Sequence, residues 1–154
     1  MKTKLFFFAL ASMISSFVSA QDITSNDKCV LLEDLPPQAI YFLRNDFPNL
    51  EEASVTQRPK DNTYEVITSD SCKIVFDNDG KWINVECSLG KIPNFIVPNK
   101  IQNEIRKEFG EGTKIVQIER LSRNRYHVVL ARKISIKFNK NMEITDVKEL
   151  FNRS

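Results

Sequence analysis

Apolar residues along the chain follow a helical period, then an alternating one, and the whole sequence of changes happens twice. After Leu35-Pro36-Pro37, the residues Ile40, Leu43 and Phe47 fall at helical spacing on one face. Proline suits a first helical turn because its missing N–H has no helical partner there. Pro48 closes the segment. Short runs with strand character follow, at about 53–58, 63–68, 72–76 and 81–87. Turn-forming clusters separate them: Pro59-Lys60-Asp61-Asn62, Ser69-Asp70-Ser71 and Asp77-Asn78-Asp79-Gly80. The second pass begins at Val97-Pro98, with Ile101, Ile105 and Phe109 on a helix face. Strand runs then fall at about 114–121, 125–131, 133–138 and 142–147.

The two passes share an offset of 62 residues: Pro36, Arg44, Phe47, Tyr64, Val66, Ile74 and Phe76 recur as Pro98, Arg106, Phe109, Tyr126, Val128, Ile136 and Phe138. A repeat of packing and turn residues describes one supersecondary unit built twice. Each half predicts one helix and then four antiparallel strands. Alternation turns Tyr64, Val66, Cys72, Ile74 and Phe76 toward the helix, and their counterparts likewise. The other side carries Glu65, Ile67, Lys73 and Val75, then His127, Val129, Ser135 and Lys137. No further helix is left to cover it. An uncovered face with some apolar residues is a candidate partner surface, or an ordinary solvated face with scattered apolar residues. Its candidate contacts are Glu65, Ile67, Val75, His127, Val129 and Lys137.

The first twenty residues stand apart from this pattern. Lys2 and Lys4 precede an apolar run from Leu5 to Ala11, and Val18-Ser19-Ala20 supplies small residues. That is a secretory signal with the cut between Ala20 and Gln21, too short to span about 30 Å of hydrocarbon. Export changes the charge: the full chain has 22 basic and 20 acidic residues, and loss of Lys2 and Lys4 makes it neutral. A neutral chain gives no electrostatic case for nucleic acid or an anionic membrane. Export also permits a disulfide among Cys29, Cys72 and Cys87. Cys72 and Cys87 flank a predicted hairpin and are the candidate pair. Cys29 with either of them is the alternative, and one thiol is left over in every case.

Catalytic motifs are missing. The chain has no His-Glu-x-x-His, Cys-x-x-Cys, Gly-x-Ser-x-Gly or phosphate-cradling glycine loop. Asp77-Asn78-Asp79-Gly80 has part of a calcium-loop pattern, but Val75 stands where an acid is needed. A tight turn is the simpler reading. Trp82 follows that turn, and the register decides whether it enters the core or serves as a binding hot spot. His127 is the single histidine, expected as an exposed residue on the open face. No enzyme, cofactor or metal is expected.

Several of these motifs resemble a known family. Leu35-Pro36 and Phe47-Pro48 bracket the helix, followed by Tyr64-Glu65-Val66, Ile74-Val75-Phe76-Asp77 and Gly80-Lys81-Trp82. Val85-Glu86-Cys87 then leads into Ile92-Pro93-Asn94-Phe95-Ile96-Val97-Pro98. The set is similar to the PepSY-like, β-lactamase-inhibitor-like modules of bacterial envelope proteins. The second half departs at Gly110, Asn139 and Met142. The resemblance implies an α+β fold like the β-lactamase inhibitor protein. Two tandem helix-plus-four-strand units would form one curved sheet with the helices on one face. The divisions are signal 1–20, lead 21–34, first repeat 35–91 and second repeat 92–154. The implied role is a non-enzymatic, periplasmic or secreted binding module whose partner is an envelope protein or enzyme. A carrier or sensor of a small ligand, held between sheet and helix, is the alternative.

Overall fold

Pro36 and Pro98 cap the N-termini of the two helices, α1 (Pro37–Asp46) and α2 (Asn99–Phe109). The structure is a computed structural model describing residues 26–47 and 50–150. The signal cleavage site at Ala20 and Gln21 and the expected stop at Pro48 lie outside the described residues. The strands are β1 (Lys28–Val30), β2 (Ser54–Arg58), β3 (Thr63–Ile67), β4 (Cys72–Asp77) and β5 (Trp82–Cys87). After α2 come β6 (Ile115–Leu121), β7 (Arg125–Leu130), β8 (Ile134–Phe138) and β9 (Ile144–Glu149). All nine form one sheet in sequence order, each neighbour antiparallel. Val85 on β5 pairs directly with Ile118 on β6, so the sheet is continuous across the middle of the chain.

One row of side chains explains how the sheet is held. Val55, Val66, Ile74, Val85, Ile118, Val128 and Ile136 oppose one another from β2 to β8, and all are buried. Ala39 and Leu43 of α1 and Ile101 and Ile105 of α2 join the same core. Both helices therefore pack on this face. Each buried aliphatic side chain contributes about 1.5–3 kcal/mol. Phe42 of α1 meets Phe76 of β4 edge-on, with ring centroids 5.7 Å apart.

Positive backbone angles recur at the same offset of 62 residues. Among the described residues, Asn62, Ser71 and Gly80 have positive φ, and so do Asn124, Lys133 and Met142, each 62 positions later. Asp77 Oδ1 accepts hydrogen bonds from the N–H groups of Asp79 (3.0 Å) and Lys81 (2.9 Å). Asn139 Oδ1 accepts from Asn141 (2.9 Å) and Glu143 (3.0 Å) in the same way. An uncharged amide does the work of the carboxylate, so the Asp77 turn is a structural Asx turn.

The described part of the lead, from residue 26, is ordered at its apolar end. Lys28–Val30 forms a ninth strand on the edge of β2, and a 3-10 turn follows at Leu32–Asp34. Val30 opposes Val55, giving this short segment an apolar anchor on the core face.

Candidate functional site

The face opposite the helices is built by the other parity of every strand. Cross-strand opposition places Glu65 beside Val75, Ile67 beside Lys73, and His127 beside Lys137. All six residues expected on the open face lie there. They form two patches, one on β3 and β4 and one on β7 and β8. Asn84, Glu86, Gln117 and Glu119 of β5 and β6 lie between them, across about 14 Å at the usual strand spacing. Sequence reasoning omitted these four. The alternation around Val85 and Ile118 carries the signal that would have found them.

Charge on this face is paired across strands. Arg58 Nη2 reaches Glu65 Oε2 at 3.0 Å, and Lys73 Nζ reaches Glu86 Oε2 at 3.1 Å. Asp146 of β9 receives Lys148 at 3.4 Å and Lys137 at 4.0 Å. Gln117 Nε2 donates to Asn84 Oδ1 at 3.2 Å. Lys73 and Lys137 are thus partnered and not simply solvated. Glu65 is 13% exposed in its side chain, whereas Ile67 is 43% exposed overall. Exposed ion pairs contribute little stability singly. Their effect here is to hold long side chains in place, with acidic Glu86 and Glu119 at the centre and cations to either side.

His127 is half-buried rather than freely exposed, because it opposes Glu119 directly and Ser135 diagonally. Its Nδ1 lies 3.3 Å from Glu119 Oε2 and its Nε2 lies 2.8 Å from Ser135 Oγ. With Nδ1 protonated, the imidazole donates to the carboxylate and accepts from the hydroxyl. The order carboxylate, imidazole, hydroxyl is that of a hydrolytic triad. However, β7 and β8 are interior strands whose backbone donors serve ladders on both sides. That leaves no pair of free N–H groups beside Ser135 to stabilise an oxyanion. The chain of bonds therefore serves to fix His127. Among the described residues, no group of three or more His, Cys, Asp or Glu is placed to hold a metal ion.

Trp82 belongs to the core face. A bulge pairs it with Phe76, and it is only 7% exposed. The Arg120 guanidinium lies 3.7 Å from its ring centroid. Partial burial pushes Arg120 below the usual guanidinium range, with Tyr126 and Asp77 acting in the opposite direction. Replacing Arg120 with glutamine removes this stacking, with an expected loss of about 0.5–1 kcal/mol in urea unfolding. Unchanged stability would show that the cation contributes nothing there.

Cys72 and Cys87 oppose each other on β4 and β5 and are joined in a disulfide. Cys29 is free and exposed on β1.

Among the described residues, these features define an α+β fold with one antiparallel sheet, two helices on one face and an ordered polar surface on the other. The chain belongs to the family described as "putative beta-lactamase-inhibitor-like, PepSY-like", whose model matches residues 62–146. Solved structures share the fold. A putative periplasmic protein from Bacteroides vulgatus is 28% identical with a TM-score of 0.72, covering 81% of this chain and 98% of its own. A putative calcium-regulated periplasmic protein from Bacteroides thetaiotaomicron is 27% identical with a TM-score of 0.71, covering 79% and 96%. A second Bacteroides vulgatus protein, of unknown function, matches at 19% identity and a TM-score of 0.68, covering 79% and 98%. A search of curated proteins finds no match. No helix among the described residues is long and apolar enough to cross a membrane.

Proposed function

We propose that this chain is a non-enzymatic, exported binding module that engages an envelope protein through its bare sheet face. The observation carrying this reading is the sheet's asymmetry: both helices pack on one face, while the other presents ordered side chains. Prior ordering of charged side chains lowers the entropy lost on association. Periplasmic descriptions of similar proteins and the signal-like N-terminus support export to the periplasm or beyond. The recurrence of positive-φ residues 62 positions apart supports two tandem units, 35–91 and 92–154.

The test is a crosslinked pull-down from the native host's envelope, followed by affinity measurement with the purified captured protein. Ile67→Asp with Glu119→Lys is expected to weaken binding at least tenfold, with circular dichroism unchanged. Undiminished affinity in that folded variant would sink the sheet-face assignment. A second reading, a carrier or sensor of a small ligand, has its own observation in a cavity of about 490 Å³ beside α2.

A further inference from the structure

We infer that β9 pairs with β9 of a second copy of this chain, antiparallel and about a two-fold axis at Val147, joining two sheets into one. The inference goes beyond the sheet-face reading and does not depend on the partner engaged there.

The strand offers a free edge. β1 and β9 are the two edges of the sheet. β1 has three residues, and a short edge gives a neighbour little to pair with. β9 has six, Ile144–Glu149, none of them proline. Among the described residues, no strand lies beyond it. Val147 opposes the core residue Ile136 and so points to the helix face, yet it is 47% exposed. Leu150 N–H donates to the Lys133 carbonyl at 2.6 Å, continuing the register of Ile134–Glu149 and Ser135–Lys148. Antiparallel strands turn the backbone groups of successive residues alternately toward and away from a neighbour. Asp146 and Lys148 therefore direct theirs to β8, while Val147 directs its N–H and C=O outward. The register shift between Lys137 and Phe138 lies past Asp146 and leaves this parity intact.

Charge selects the occupant and the register. Asp146 and Lys148 flank Val147 and share the bare sheet face with Lys137. Rotated about Val147, the strand places acid, apolar residue and base against base, apolar residue and acid. Asp146 of each copy then lies opposite Lys148 of the other, and the two Val147 residues exchange a pair of backbone hydrogen bonds. Outward backbone groups must meet outward groups, so the register can slip only in steps of two. One step sets Lys148 against Lys148, and the opposite step sets Asp146 against Asp146. Like charges directly opposed destabilise a strand pair, and opposite charges stabilise it. Only the pairing centred on Val147 matches every charge. It is isologous, so it closes as a dimer and leaves no β9 edge for further growth. The two bare faces become one continuous surface with these four charges at its middle.

The test is sedimentation equilibrium of the mature protein, with amide hydrogen exchange read at several concentrations. A reversible monomer–dimer equilibrium is expected, and protection at Val147 should rise with concentration. Lys148→Asp and Asp146→Lys should each weaken self-association about tenfold. An equimolar mixture of those two variants should associate again, since acid then meets base at both positions. Val147→Pro removes the outward N–H without breaking a bond to β8, and should abolish the dimer in protein whose circular dichroism is unchanged. Cys29→Ser should dimerise like the wild type, which separates this contact from a thiol link at β1. A chain that stays monomeric up to about 1 mM would overturn the inference. So would a dimer that survives Val147→Pro, a charge-swapped mixture that fails to associate, or a dimer lost in Cys29→Ser. Protection of Val147 by a strand of a different protein, with this chain monomeric, would reject the second copy as the occupant.

Discussion

Gly80→Ala is expected to destabilise the protein by about 2–4 kcal/mol, combining left-handed strain with a forced displacement of packed groups. Gly80 has φ +80°, and a Cβ there would meet Ala39 N at 2.8 Å and Pro36 Cβ at 2.9 Å. The obstacle is the first turn of α1, whose backbone cannot swing aside like the tip of a flexible side chain. Relieving the contact means lifting the helix from the sheet end, where Leu35 and Ala39 are buried. Gly112→Ala separates strain from crowding, because Gly112 has φ +76° and open space around its would-be Cβ. That control should cost about 1 kcal/mol. The second half gives a natural comparison: Met142 holds φ 59° at the position corresponding to Gly80. A side chain is thus accommodated at that backbone angle in the second turn. Urea unfolding of the two alanine variants measures the difference. Equal losses would mean that α1 yields freely and that close approach does not constrain this turn.

The sequence made the strand faces legible because one physical variable, side-chain parity, decides them. Val66, Ile74, Val128 and Ile136 alternate with polar residues, and all are buried in the core row. Turns at Asn62, Gly80 and Asn124 were legible too, since these residue types tolerate positive φ, whereas Lys133 and Met142, expected to open strands, have positive φ and precede strands that begin at Ile134 and Ile144. Lys28–Val30 was missed because three residues carry too short a pattern, and the strand depends on the edge that β2 offers. Trp82 was undecided because the bulge opposite Phe76 shifts parity by one residue. The partners of His127 required the register between β6, β7 and β8, which composition does not supply. The cavity beside α2 is the least legible feature. Its walls are closed by bonds from Gln102, Thr113 and Ile92 that no pattern in the sequence announces.

Reducing the Cys72–Cys87 disulfide is expected to cost about 3 kcal/mol, the loop-entropy value for a closure of this length. The bond joins directly opposed residues of β4 and β5, 15 positions apart, with Cα atoms separated by 4.1 Å. It ties the open end of the hairpin whose other end is the Asp77–Gly80 turn. Cys29 offers no substitute: three strand spacings separate β1 from β4, about 14 Å, and a disulfide needs Cα atoms within roughly 7 Å. Thermal unfolding with and without reductant should therefore shift in wild type and in Cys29→Ser alike. Cys72→Ala with Cys87→Ala should already behave as the reduced protein and respond to reductant no further. A wild-type shift equivalent to less than about 1 kcal/mol would mean that the β4–β5 ladder alone confines the hairpin. The bond also reaches the proposed binding face, because Lys73 and Glu86, adjacent to the two cysteines, pair there at 3.1 Å. Loosening the hairpin end frees that ion pair first. The same reduction should therefore weaken partner capture in protein that remains folded, linking the oxidising compartment implied by export to the order of the surface.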